Sequence, residues 1–131
     1  EISVDSISFR SYGADAPHLW FREPLRHTWL LDPLRIDAPF QALILWSRAQ
    51  HQAPCLPCGI DRLRCHQKLD SGLLETRVHI DGTEGPIGRA RVEILNRSGI
   101  PAITIEGAEV IIDASLESAF RGDRLPEEAS P

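Results

Sequence analysis

Two polar residues stand out by type and spacing. Asp37 and Gln41 lie four residues apart within Leu31-Asp32-Pro33-Leu34-Arg35-Ile36-Asp37-Ala38-Pro39-Phe40-Gln41. Positions four apart on a helix share one face, a turn from each other. A carboxylate at the entrance of an apolar stretch has the makings of a general acid. Lost hydration there favours the neutral acid, while the positive helix N-terminus favours the anion. Plainer roles exist for both residues. Asp37 is placed to cap a helix, and Gln41 to satisfy a backbone carbonyl.

Other clusters carry less chemistry. Cys55-Leu56-Pro57-Cys58, followed by Cys65 and His66, has the ligand types of structural zinc. Neighbours in a strand point to opposite faces, which separates Cys65 from His66. No metal site is expected, and no cofactor. Arg89, Arg91 and Glu93 read as a solvated strand face, with docking of an acidic protein surface as the functional alternative. Trp20, Trp29 and Trp46 are expected to pack in the core or line a ligand channel, with packing the simpler reading.

The elements that must hold Asp37 and Gln41 follow from periodicity. Ile2 to Ser11 reads as an irregular strand or a short strand pair, and His18 to Arg22 as an extended piece. A helix is predicted from Ala38 to Gln50, reaching about residue 52, with Pro39 in its first turn. Phe40, Ala42, Leu43, Ile44, Leu45 and Trp46 make it apolar nearly all round, so it needs cover on most sides. Strand material follows over Gly59–Leu69, Leu74–Ile80, Gly88–Leu95 and Ile100–Ile112. The last run switches parity at Gly107, where a β-bulge is expected. An α+β hot-dog fold satisfies this order: an antiparallel sheet wrapped around one long apolar helix. The domain is expected over residues 1–116, with residues 117–131 as a C-terminal tail or interdomain linker.

Composition narrows the function. The 131 residues carry a net charge of −5, which supplies no global field for nucleic acid or an anionic membrane. The longest apolar run, Ala42–Trp46, is far below the ~20 residues of a membrane-spanning helix. Glu1–Asp5 has no leader-like character, and three cysteines suit a reducing, cytoplasmic setting.

The frame Pro33–Asp37–Gln41, followed by Leu56-Pro57 and a strand, resembles the C-terminal half of the dehydratase domains of polyketide synthases and polyunsaturated-fatty-acid synthases. The resemblance covers roughly Trp29 to Ile112. It implies a lyase activity on a 3-hydroxyacyl chain carried by an acyl carrier protein, with neighbouring synthase domains as partners. It also implies that Asp37 protonates the leaving hydroxyl and that Gln41 orients it, while a histidine on another hot dog takes the α-proton. Two departures stand out. The family's His-x-x-x-Gly-x-x-x-x-Pro motif is absent, since none of His18, His27, His51, His66 or His79 has glycine four residues on. Asp32 also stands where a histidine usually precedes the proline. A non-catalytic dimerisation domain and a free-standing hot-dog thioesterase are the competing readings. A hot-dog sheet leaves an edge, so pairing with a copy of itself or another hot dog is expected.

Overall fold

The computed structural model describes residues 1–122. Its elements are β1 (Ser6–Ser11), α1 (Pro17–Trp20), α2 (Pro33–His51), β2 (Cys55–Gly59), β3 (Arg62–Cys65), β4 (Leu74–Glu84), β5 (Ile87–Leu95), β6 (Pro101–Ile112) and α3 (Leu116–Gly122). The strands form one antiparallel sheet in the order β1-β4-β5-β6-β2, with β3 also paired to β6. One long helix packs on this sheet, and the fold is the α+β hot dog.

Alternation in the central strands decides which face is buried. In β4, Leu74, Thr76 and Val78 are buried while Arg77 is exposed. In β5, Gly88, Ala90, Val92 and Ile94 face inward while Arg89 and Arg91 face out. These inward rows meet Ala42, Leu43 and Trp46 of α2 in one core. The absence of a side chain on Gly88 makes room for this seat. A Cβ there would lie 3.1 Å from Val110 Cγ2 and 3.6 Å from the Trp46 ring. The Trp46 indole N–H reaches Val4 O at 3.0 Å, and Ser47 Oγ donates to Ala53 O at 2.7 Å. Both buried polar groups are thereby satisfied.

The parity switch in β6 is a bulge. Ala90 pairs with Ala108 and Val92 with Ile105, so β6 carries an extra residue between them. Gly107 takes φ +62°, a region L side chains rarely adopt, and a Cβ there would strike Asp61. Other local expectations are corrected. The piece expected to extend over His18–Arg22 begins as α1, with Pro17 opening the turn. The strand expected over Gly59–Leu69 is broken: β2 ends at Gly59 and β3 runs only from Arg62 to Cys65. Residues 116–122 are helical, and the remainder of the expected tail, residues 123–131, lies outside the described residues.

The main helix differs most. It begins at Pro33, five residues before the expected Ala38, and ends at His51. Its cap is Asp32, not Asp37: Asp32 Oδ1 accepts the amides of Leu34 and Arg35, each at 3.1 Å. Pro33 therefore opens the helix, while Pro39 sits in its interior. Cover is also less complete than the apolar content suggests. Leu34, Asp37, Gln41, Leu45 and Arg48 form a solvent-facing stripe at helical spacing.

Asp32 has a second task. Its carboxylate also accepts Ala14 N–H, at 3.0 and 2.9 Å to its two oxygens, and lies 3.6 Å from Nε of buried Arg35. Asp32→Ala removes the cap and leaves Arg35 without its counter-charge. The expected loss is about 3 kcal/mol of unfolding free energy. Leu45→Ala on the open stripe is expected to cost less than about 0.5 kcal/mol. Urea unfolding of both variants checks the contrast.

Candidate active site

The start of α2 fixes the phase of the site. With Asp32 as cap, Asp37 and Gln41 are interior helical residues on the exposed stripe, one turn apart. Gln41 Nε2 donates to Asp37 Oδ2 at 3.2 Å. The sequence spacing is thus realised as a direct contact. The expected environment is not: Asp37 is exposed, and it neither caps the helix nor loses its hydration within this domain.

Beside the pair runs a groove of about 550 Å³. Ile2, Ile7 and Phe9 form its sheet-side wall, and Leu34, Ala38 and Leu45 its helix-side wall. Ser11 and Tyr12 also line it. The Ser11 hydroxyl is buried with no hydrogen-bond partner. A mostly apolar groove with a carboxylate–amide pair at its lip can seat a hydrocarbon chain and present a proton donor to it.

No histidine lines this groove. His51 lies edge-on to Trp46, with ring centroids 5.1 Å apart. His66 Nε2 is 2.9 Å from Thr104 Oγ1, and His79 Nε2 is 3.4 Å from Glu93. His66 and His79 both sit on the outer side of the sheet. Neither they nor His51 can act on a ligand held by Asp37 and Gln41.

The arginine row largely pairs with its own sheet. Arg89 meets Glu109 at 3.2 Å, Arg91 meets Asp81 at 2.8 Å and Arg77 meets Glu75 at 2.8 Å. Such exposed pairs contribute little stability but cancel charge locally. The cysteine pair is divided by the fold. Cys55 faces the core at 0% exposure, and burial pushes its thiol up from the ordinary range. Cys58 is exposed beside Glu109, its Sγ 3.4 Å from Glu109 O. Partial burial, then the Glu109 charge, raises the Cys58 thiol as well. Of the tryptophans, Trp46 is core, whereas Trp20, at the end of α1, and Trp29 pair edge to face in the segment between β1 and α2, their centroids 5.3 Å apart.

Two features escaped the periodicity. The Asp32–Arg35 clamp was signalled only by an Asp-Pro step and by charges three apart. Tyr12 sits in irregular chain directly after β1, where hydrophobic patterning is silent.

An antiparallel sheet packed on a single long helix defines a hot-dog domain. The sequence profile described as Polyketide synthase dehydratase N-terminal domain matches residues 7–112, and the chain belongs to this family. The match takes in β1 from its second residue, α2, and all of β2 to β6. Its description names the N-terminal domain, whereas the Pro33–Asp37–Gln41 frame resembles the C-terminal half. No curated protein matches the chain.

The raised Cys58 thiol has a direct readout. Thiolate is the reactive form, so Cys58 holds little of it near neutral pH. Glu109→Gln is expected to speed Cys58 alkylation by iodoacetamide at pH 7.5, and Cys55 is expected to label only on unfolding. Peptide mass spectrometry resolves the two sites.

Proposed function

We propose that this domain contributes the Asp/Gln half of a 3-hydroxyacyl thioester dehydration site, the role of a C-terminal dehydratase hot dog. The carrying observation is the 3.2 Å Gln41–Asp37 hydrogen bond at the lip of an apolar groove. Family membership supports the substrate class: an acyl chain on an acyl carrier protein, with neighbouring synthase domains as partners.

The chemistry divides between two centres. A base removes the proton α to the thioester carbonyl, and the electron pair forms the new C=C bond. The C–O bond at the 3-position breaks, and Asp37 supplies the proton with which the hydroxyl leaves as water. Gln41, held through its own N–H, fixes the rotamer of Asp37 for that transfer. The groove offers no histidine base, so the base comes from a second hot dog. The same partner, a copy of this chain or another hot dog, closes the groove and withdraws Asp37 from solvent, as a proton donor at neutral pH requires. The open stripe and the absence of a histidine from the groove also suit a second reading, a structural domain that pairs without chemistry.

The test uses a short 3-hydroxyacyl pantetheine thioester. Water loss and re-addition are followed together with thioester hydrolysis, for the chain and for Asp37→Asn. Asp37-dependent water loss is expected, with Asp37→Asn about 10²–10⁴-fold slower. Gln41→Ala is expected to lower the rate less, because Asp37 keeps its proton but loses its orientation. Asp37-dependent hydrolysis would replace the dehydratase with a thioesterase. Silence in both channels would leave the structural reading.

A further inference from the structure

On the other side of the first turn of α2 lies a larger open-mouthed cavity of about 850 Å³. It is bounded by residues 12–15, residues 28–32 and the β3–β4 connection, residues 65–72. Ile103 and Leu69 give it an apolar base, and Trp29, Leu30 and Leu31 an apolar wall. Tyr12 borders both this cavity and the Asp37–Gln41 groove.

Its distinctive group is Arg35. The side chain is 3% exposed, yet it lines the cavity. Nη1 donates to Ser11 O at 3.3 Å and Nη2 to Gly72 O at 2.5 Å. A guanidinium has five N–H bonds, so donors remain beyond these two contacts. Asp32 does not take them up: its carboxylate is 3.6 Å from Nε, past hydrogen-bond range, and three backbone amides already hold it in place. Gly13 allows that arrangement, since a Cβ there would strike the Asp32 carboxylate. The clamp thus keeps a buried cation in position without saturating it. Burial pulls the Arg35 pKa down and the Asp32 charge pulls it back up. Arginine stays charged under such shifts.

One further cationic group borders the cavity, Lys68. Lys68 makes no ion pair among the described residues, in contrast to most arginines of the sheet. The carboxylate of Asp70 is turned to Arg97, accepting its backbone N–H at 3.0 Å and lying 3.9 Å from its Nε. Asp15 and Asp32 also border the cavity. The Asp32 carboxylate is held by backbone amides and lies beside Arg35. Asp15 accepts the Trp29 indole N–H on its backbone carbonyl at 2.6 Å, and its carboxylate makes no ion pair among the described residues.

We propose that this cavity binds an oxyanion, carboxylate or phosphate, carried on a short apolar body: Arg35 and Lys68 hold the anion, and Trp29, Leu30 and Leu31 receive the body. A planar fork of donors suits either oxyanion, and the apolar wall excludes a bare inorganic ion as the best fit. The site involves neither Asp37 nor Gln41, so it stands apart from the dehydration reading.

Hexanoate and hexyl phosphate present the two oxyanions on one body, and hexan-1-ol presents the body alone. Titration of the ¹⁵N-labelled full chain follows the Trp29 indole and Arg35 Nε signals by NMR. Either anion, or both, is expected to shift these two signals at up to about 10 mM, while hexan-1-ol does not. Which anion binds more tightly identifies the headgroup. Lys68→Gln, at an exposed position, is expected to weaken binding roughly fivefold to tenfold without unfolding the domain. Asp37→Asn is expected to leave the affinity unchanged, which separates this site from the groove. Hexan-1-ol binding as well as the anions, an unaffected Lys68→Gln variant, shifts confined to the Asp37–Leu45 stripe, or no shift at all would each overturn the proposal.

Discussion

The carboxylate of Asp32 is the contact on which the rest of the geometry depends. It starts the main helix one turn earlier than apolar content alone requires. That choice sets the rotational phase of everything after it. Leu43, Trp46 and Ser47 turn toward the sheet, and Leu34, Asp37, Gln41 and Leu45 turn away from it. The same carboxylate draws the chain after β1 against the helix through Ala14 and keeps Arg35 buried beside Ser11 and Gly72. One side chain thereby ties together the end of β1, the start of α2 and the segment leading into β4.

This explains why the sequence is legible in some places and not in others. β4 and β5 alternate strictly because one face packs on the helix and the other is wet, so residue type alone reports their orientation. The bulge at Gly107 is equally readable, because a parity switch and a glycine coincide. The helix start is harder. Pro33 and Pro39 both suit a first turn, and the choice between them rests on what Asp32 contacts eighteen residues upstream, at Ala14. The Asp37–Gln41 contact survives that error, because four residues span one turn wherever the helix begins. The environment of Asp37 does not, because exposure depends on rotational phase.

The apolar content of α2 also shows how one sequence serves two surfaces. A helix hydrophobic nearly all round is usually surrounded. Here the sheet covers one side, while Leu34 and Leu45, 46% and 58% exposed, flank the polar pair on the other. Leucines in that position are consistent with a groove that another surface closes. The family to which the chain belongs gives such a groove a chemical context, and no histidine lines it.

The two borders of the sheet have a further consequence for the molecule's behaviour in concentrated solution. On one side, β2 and β3 are short, interrupted after Gly59, and carry Pro57, which has no amide proton to offer. On the other, β1 is flanked by an antiparallel bridge between Ile2 and Ile7, and it covers β4 only as far as His79. The stretch of β4 beyond it carries Asp81 and Glu84 and is bent at Gly82, where φ is +142°. Like charges and a bend there oppose strand-to-strand stacking of identical copies, as proline and interruption do on the far side. The sheet is therefore poorly suited to templating fibrils, even though most of its inward residues are strong β formers.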